Sequence, residues 1–354
     1  MSGVRSQVAQ VTYLDILTEA WRQHLAPRTE DAPTVISTFA GCGGSSLGYS
    51  MAGYRELLAV EWDDNAVATF RLNFPEVPVY HGDIAKLSVG ECLEMTGLQP
   101  GELDVLDGSP PCQGFSTAGK RQLDDPRNNL FMEYIRLLRG LQPKVFVAEN
   151  VSGMVKGKMK LVFAEVLREL KASGYKVSAR LMNAMYFHVP QSRERLIFVG
   201  VREDLGMKPS HPKAEARPYT VREAFENVPA DAEAFICGVH TKIYQDMLNV
   251  PSGGSQPGHH SHVRLPYDRP SMAVLADSGF GHYHYWHPTE QRTLTFMELR
   301  RIASFPKWFR LLGEPGEKWA RIGNSVPPLF MRAIAGHVRE QILAQMSLDR
   351  RLAD

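Results

Sequence analysis

The chain has 354 residues, of which 44% are hydrophobic and 22% charged. This excludes a disordered chain and leaves room for two domains, or one large domain with an insert. Forty Lys and Arg against 39 Asp and Glu give a formal net charge of +1, which excludes a protein that coats nucleic acid without discrimination but not one with a local basic cleft. Four Cys without a CxxC pair exclude a disulfide scaffold and a common zinc pattern. There is no apolar run of about 18 residues to span a bilayer, and the first 25 residues carry no signal-peptide core. The expectation is a cytoplasmic protein with free thiols.

Val8, Val11, Leu14, Leu17, Trp21 and Leu25 recur at helical spacing, which predicts an appended helix packed on the rest of the chain. A polar, Pro-bounded linker follows at 26–33. From residue 34 the pattern alternates. Short apolar runs at 34–39, 56–61, 104–108, 145–149 and 196–201 predict strands. Residues 63–74, 128–140 and 158–174 predict helices, the first with an Asp cap and the other two stopped by Gly. Strands alternating with helices predict an α/β fold: a Rossmann-like, doubly wound, mostly parallel sheet. Ligands of such sheets sit beyond the carboxyl ends of the strands. The alternation breaks near 205–220, and six of the twelve His fall between 259 and 287. The expected organisation is an N-terminal helical extension at 1–33, a catalytic domain at 34–217, an inserted second domain at 218–291, and a return at 292–354 with helices at 292–306 and 329–346.

The chemistry-bearing residues lie at the predicted strand ends. Phe39-Ala40-Gly41-Cys42-Gly43-Gly44 follows the first strand, and its glycines allow a sharp turn and close approach of a ligand. Alone, this is equally a tight structural turn. Glu61, with Trp62 beside it, ends the second strand where an acid can accept from ribose hydroxyls. Asp83, followed by Ile84, can accept from an adenine amine. Singly, both acids also read as caps or surface groups. Together the three suit a nucleoside held without a pyrophosphate cradle, and S-adenosylmethionine fits better than NAD. In Gly108-Ser109-Pro110-Pro111-Cys112-Gln113, two prolines fix the backbone before the thiol, and a polar stretch follows it. That context suits an exposed nucleophile; Cys42, Cys92 and Cys237 lack it and read as structural. Glu149 ends another strand and can act as a general acid. Arg193 and Arg195 alternate onto one face, either to position a ligand carboxylate, phosphate or base carbonyl, or as a solvated charge cluster.

In order, FAGCGG, EW at 61–62, GD at 82–83, SPPCQGFS, ENV, QSRER, RTLTFMELRRIASFP at 292–306 and GNSVPP at 323–328 make the chain resemble the DNA (cytosine-5)-methyltransferases, particularly the bacterial modification enzymes, over roughly residues 34–345. The resemblance implies a Rossmann-like catalytic domain, a small target-recognition domain, and a cleft for double-stranded DNA. It implies that Phe39, Gly41, Gly43 and Gly44 shape a loop for S-adenosylmethionine. Glu61 would bind its ribose, Trp62 would stack near its adenine, and Asp83 with Ile84 would hold the adenine edge. Pro110, Leu130, Asn324 and Ser325 would line the same pocket. Cys112 becomes the nucleophile, Glu149 the acid at the base, and Arg193 and Arg195 the ordering guanidiniums. Lys120, Arg121, Arg127 and Arg292 are the candidate phosphate contacts, and other basic residues at 117–139, 151–160 and 292–310 could join them.

No metal is expected, because the spacings of the His cluster at 259–262 and 282–287 match no standard zinc pattern; base or phosphate contacts suit it better. The family usually carries a Thr-Leu or Thr-Ile pair near the end of the insert, whereas this chain has Ser271-Met272-Ala273-Val274-Leu275-Ala276. A monomer is expected, with a restriction endonuclease as its functional counterpart. The competing readings are a tRNA methyltransferase, whose Cys-Phe-Thr signature the insert lacks, and a non-catalytic relative, which the intact Cys112, Glu149, Arg193 and Arg195 argue against.

Overall fold

The computed structural model describes residues 11–111, 126–157, 159–215, 217–229, 241–256, 262–276 and 285–346, with backbone alone at 126–129. The first half runs α1 (Tyr13–Leu25), β1 (Thr34–Thr38), α2 (Gly44–Met51), β2 (Arg55–Glu61), α3 (Asp64–Asn73), β3 (Val79–His81), α4 (Val89–Thr96), β4 (Val105–Gly108), α5 (Pro126–Leu141) and β5 (Val145–Val151). It continues with α6 (Met159–Ala172), β6 (Tyr175–Asn183), β7 (Gln191–Ser192), β8 (Glu194–Arg202), α7 (Val221–Ala224), α8 (Lys242–Met247), β9 (Val263–Arg264), β10 (Ser271–Met272) and β11 (Tyr285–Trp286). Among the described residues, α9 (Phe296–Ile302), α10 (Pro315–Asn324) and α11 (Pro328–Val338) follow, the last continuing into a π-helical turn at Arg339–Leu343.

Seven strands form one sheet in the order β3-β2-β1-β4-β5-β8-β6. β3, β2, β1, β4 and β5 run parallel, and β8 lies antiparallel to both β5 and β6. Both faces are covered, so the central strands read as continuous apolar runs. Alternate residues then divide between two cores. Val35, Val105, Val145 and Val147 enter one; Ile36, Leu106, Phe146 and Ala148 enter the other.

The expected Asp cap is present: Ala66 N donates to Asp63 Oδ1 at 2.8 Å. Three expectations change. β6 was not expected, because its residues are half exposed and include Lys176, Ser178 and Arg180; an edge strand does not need an apolar run. Gly140 does not stop α5 but lies inside it, where a Cβ would sit 2.4 Å from a Val89 methyl of α4. The helix expected over 292–306 is only α9, because Thr295 and Glu298 cap each other at its start while Thr293 bridges to Trp286 in extended form.

α1 packs on the catalytic body through Tyr13, Leu17 and Ala20. Val11 and Leu25, expected on that face, are 65% and 63% exposed, so the buried stripe is rotated from the expected one. Tyr13 Oη donates to Arg301 O, tying the extension to α9.

Among the described residues of the expected insert, Met247, Val250 and Trp286 form a small cluster of their own, while Tyr219, Val221, Ala224, Leu265, Val274 and Tyr285 join the main core. A buried cation ties the small cluster's surroundings together. Arg264 donates to the carbonyls of Val250, Met247, His287 and Glu290 and to Gln291 Oε1. β10 pairs with β7 in a separate two-stranded sheet, so this part of the insert is stitched to the segment that leads into β8.

Gly200 of β8 faces the Phe146 ring so closely that a Cβ would lie 1.9 Å from it. Gly200→Ala is expected to lower stability in urea unfolding by about 1–3 kcal/mol, the cost of overpacking; an unchanged midpoint would remove this contact as a constraint.

Candidate active site

The glycine-rich turn joins β1 to α2. Phe39, Gly41 and Gly43 all take left-handed backbone, with φ of 54°, 57° and 98°. Gly43 caps α2, and a Cβ there would meet the Phe74 ring at 2.4 Å. A Cβ on Gly44 would meet the Val326 carbonyl at 2.6 Å, so the return segment 323–326 closes directly on the turn. The turn is held by a carboxylate. Glu61, buried at the end of β2, accepts from Gly41 N through Oε2 at 2.7 Å, and from Trp62 N and Asp63 N through Oε1 at 2.8 and 3.0 Å.

Gly82 N donates to Glu61 O, which sets Asp83 beside this acid. Asp83 is exposed and accepts from Ala85 N at 3.0 Å; Ile84 behind it is buried. Trp62 is 75% exposed, with its ring face open. Ser325 Oγ lies 3.3 Å from Cys42 Sγ and donates to Arg321 O at 2.6 Å. Arg321 in turn pairs with Asp63 at 2.8 Å. Asn324 is exposed beside it, Pro110 is buried and Leu130 is half-buried. Burial pushes the Cys42 thiol up to about 11, the setting of an inert thiol.

A second cluster forms at the ends of β4, β5 and β8. Antiparallel pairing sets Val151 opposite Arg195 and Glu149 opposite Ile197. Arg195 Nε then reaches Glu149 Oε1 at 2.6 Å, with both side chains mostly buried. Asn150 Nδ2 donates to Pro110 O at 3.0 Å, fixing the backbone two residues before Cys112. Cys112 lies outside the described residues, as do Lys120, Arg121 and Cys237; at Arg127 only backbone is described.

Arg193 does not share Arg195's surroundings. It is buried and donates through its two terminal nitrogens to Val274 O and Gly323 O, each at 2.8 Å. Burial first, and Arg195 next, push it down to about 9. Gln191 adds a second tie: its Oε1 accepts from Val274 N at 3.1 Å. The QSRER strand thus latches the end of the insert and the start of the GNSVPP segment to the sheet.

A model of the C-5 cytosine-specific DNA methylases matches residues 33–340. The chain belongs to the C-5 cytosine-specific DNA methylases. It is 35% identical over 328 residues to a type II methyltransferase, M1.HphI, of Haemophilus parahaemolyticus, covering 85% of each chain. It is 31% identical to M.NgoPII of Neisseria gonorrhoeae, covering 90% of this chain and 99% of that one. Among solved structures, a prophage-encoded DNA modification methyltransferase of E. coli aligns with a TM-score of 0.74 and 25% identity, over 88% of this chain and 100% of the other. A Spodoptera frugiperda DNMT2 shares the fold at a TM-score of 0.67 and 19% identity. The protein is a DNA cytosine-5 methyltransferase that uses S-adenosylmethionine.

The methylase's turn fits that cofactor. Space above Gly41 is open among the described residues, Trp62 is largely exposed, and among the described residues Glu61 Oε2 accepts only the Gly41 amide, which leaves a lone pair that a ribose hydroxyl could use. No group of three His, Cys, Asp or Glu among the described residues can hold a metal ion.

The basic segments behave differently from expectation. Arg292 binds Glu298 through both terminal nitrogens, at 2.9 and 2.8 Å, and Glu290 through Nε at 2.8 Å; this guanidinium is engaged by carboxylates, not open to a phosphate. Arg300 and Arg301 donate to backbone carbonyls, and Arg136 binds Glu133 and the Ile84 and Leu87 carbonyls. His287 accepts from Thr289 N and Glu290 N and stacks on Phe225, so it organises a turn. His259, His260, His282 and His284 lie outside the described residues, and His262 is buried. Lys156 and Lys160 remain exposed beside the ENV strand end.

Sequence reading missed two acids beneath the turn. Asp107 of β4 and Glu56 of β2 accept from Tyr49 Oη at 3.3 Å and from Ser46 Oγ at 2.8 Å. Burial and then repulsion by Glu56 push Asp107 from 3.8 up to about 8. Burial pushes Glu56 up to about 7. Both folded values exceed the unfolded ones, so the folded state holds extra protons and stability falls as pH rises from about 4 to about 8. Buried His24 and His211, pushed down to about 4, act in the opposite direction but only below about pH 6.5. Stability should therefore decline from pH 6.5 to 8, and Asp107→Asn should flatten that decline in urea titrations; an equal slope would contradict the assignment.

Arg193→Lys keeps the charge but cannot bridge two carbonyls. It is expected to weaken S-adenosylhomocysteine binding about tenfold by calorimetry, because Gly323 precedes Asn324 and Ser325. Unaltered affinity would separate the latch from the cofactor pocket.

Proposed function

We propose that Cys112, Glu149 and Arg195 form the catalytic centre at which a flipped-out cytosine of duplex DNA is methylated. The observation that carries this reading is the 2.6 Å Arg195–Glu149 pair, set beside the Asn150 strap on the backbone leading to Cys112. A base stacked in a duplex cannot enter a strand-end pocket, so it must leave the helix, at a cost of a few kcal/mol.

Carbon 5 of cytosine is a poor nucleophile. Cys112 Sγ, as thiolate, adds to carbon 6, and the ring becomes an enamine with electron density at carbon 5. Glu149 hydrogen-bonds or protonates ring nitrogen 3 and so stabilises the charge that develops there. Arg195 fixes the Glu149 carboxyl and adds positive potential that favours the thiolate. Bound S-adenosylmethionine supplies the electrophilic methyl group. Loss of the carbon-5 proton and expulsion of Cys112 restore the aromatic ring. Glu61, Asp83, Trp62 and the Phe39–Gly44 turn hold the donor, with Ile84, Pro110, Leu130, Asn324 and Ser325 completing its pocket. The residues from 218 to 291 serve as the target reader, and Arg193 keeps that reader in register with the donor pocket. The protein acts as a monomer in the cytoplasm. Since its relatives are type II methyltransferases, its modification protects host DNA from a restriction endonuclease of the same specificity.

Cys112→Ser should abolish methyl transfer to duplex DNA and leave S-adenosylmethionine binding within twofold, whereas near-normal turnover would rule out the covalent route. Glu149→Gln should slow single-turnover methylation at least tenfold; an unchanged rate would remove Glu149 from the acid role. Lys156 and Lys160, with Lys120, Arg121 and Arg127, are assigned to phosphates. Replacing Lys156 and Lys160 by Ala should reduce the log–log salt slope of DNA binding by about 1 per lost contact, and an unchanged slope would place the DNA elsewhere.

A further inference from the structure

The helix α1 lies outside the matched segment 33–340, and none of its residues is assigned to the donor or the base. A helix of 13 residues is marginal by itself in water, so its order comes from what it grips. The grip falls on the two helices that start at the donor pocket. α2 starts from the glycine-rich turn, with Gly43 as its cap. α3 starts from the Asp63 cap, next to Glu61 and Trp62.

Arg28, just beyond α1, clasps the ends of α1 and α2 together. It donates to the Gln23 and His24 carbonyls at 3.0 and 3.1 Å, to the Ser50 carbonyl, and to Tyr54 O at 3.1 Å. The last turn of a helix leaves such carbonyls without a full set of partners, and a cation there also suits the helix dipole.

His24 touches both α2 and α3. Its Nδ1 lies 2.8 Å from Ser50 Oγ in the last turn of α2. Its ring meets Phe74, at the end of α3, edge to face at 5.6 Å and 80°. Burial pushes His24 down to about 4, so the ring in this contact is neutral at ordinary pH. Phe74 is the ring that a Cβ on Gly43 would meet at 2.4 Å. One aromatic side chain therefore separates α1 from the glycine-rich turn.

The row of rings continues outward. Trp21 lies 4.6 Å from His24 and stacks on Trp308 at 5.9 Å. The chain after Trp308 is fastened to α3: Asn65 Nδ2 donates to Leu312 O at 3.0 Å, and Asn73 exchanges two hydrogen bonds with Arg310 at 2.8 and 2.9 Å. So α1 reaches α2 directly, and α3 both directly and through this segment.

We propose that α1 and Arg28 form a clamp for the donor pocket, holding α2 and α3 at one spacing so that the glycine-rich turn and the Glu61–Trp62 strand end engage S-adenosylmethionine without prior rearrangement. His24 and Arg28 are positioning residues, acting through Phe74 and Ser50. The clamp rests on the assignment of the donor to that turn and strand end. A pre-set spacing raises affinity because no ordering cost remains at binding. A bound donor spans both ends itself, so the transfer step that follows is unaffected.

The test is S-adenosylhomocysteine affinity of the full chain by calorimetry, paired with single-turnover methylation of duplex DNA at saturating S-adenosylmethionine. His24→Ala removes the Phe74 and Ser50 contacts. Arg28→Met removes the donors but keeps an apolar stem at a half-buried edge position, so the fold survives. Each should weaken binding about fivefold, the scale of one lost hydrogen bond, with the saturated rate within about twofold. Gly200→Ala lowers stability away from α1 and should leave affinity unchanged. Trp62→Ala, at an exposed ring, should weaken binding by itself. Affinity unmoved in both His24→Ala and Arg28→Met while Trp62→Ala weakens it would overturn the clamp alone. So would equal weakening in Gly200→Ala, or a saturated rate that falls as far as the affinity. Affinity unmoved in Trp62→Ala would overturn the donor assignment and the clamp with it.

Discussion

The antiparallel pairing of β5 with β8 is the constraint from which the site follows. In a wholly parallel sheet, successive strands present their carboxyl ends at one edge, and β8 would enter the site from the opposite end. Its reversal brings the start of β8 to the end of β5, so that Arg195 meets Glu149 at 2.6 Å. The parallel register of β4 with β5, which sets Gly108 opposite Ala148, delivers Asn150 to the Pro110 carbonyl. A charge pair this sheltered is valuable for its geometry more than for stability, since desolvation offsets much of the attraction. What it secures is a carboxyl in one orientation, on the strand that also holds the Pro110 carbonyl.

Around that pair, polar ties act as the fasteners. Arg193 binds Val274 and Gly323 carbonyls, Gln191 binds Val274 N, and Arg321 joins Asp63. Arg264 does the same inside the insert, beside the small cluster of Met247, Val250 and Trp286. These fasteners connect the base side, the donor side and the reader through a few residues of β7 and β8. Many of the arginines that made segments look basic are engaged internally, whereas Lys156, 3.9 Å from Glu194, and Lys160 stay exposed near the ENV strand end.

Much of this was legible in the sequence. The alternating runs gave the central strands, because β-branched stretches bounded by Gly and acids have few other readings. The glycine-rich turn and Glu61 were legible because a left-handed turn needs Gly and a strand-end acid needs a donor. What escaped was non-local. Asp107 reads as an ordinary residue in DVLDG, and only the α2 packing over it reveals a buried acid. Arg193 and Arg195 look equivalent by alternation, yet the backbone between β7 and β8 sends one to Glu149 and the other to two carbonyls. Arg292 looked like a phosphate contact because its carboxylate partner Glu298 is one of a capping pair six residues away. β6 was invisible because an edge strand tolerates the polar residues that periodicity discounts.

The central claim is that Cys112 forms a covalent bond with the target base while Glu149, held by Arg195, promotes the addition. The measurement that reaches it most directly is trapping with duplex DNA whose target cytosine carries fluorine at carbon 5, since fluorine blocks the final elimination. In the presence of S-adenosylmethionine, a denaturation-resistant adduct should form, map to the peptide containing Cys112, and appear at least tenfold more slowly in Glu149→Gln. Absence of an adduct on a duplex whose unfluorinated form is methylated, or an adduct on Cys42, Cys92 or Cys237, would contradict the account.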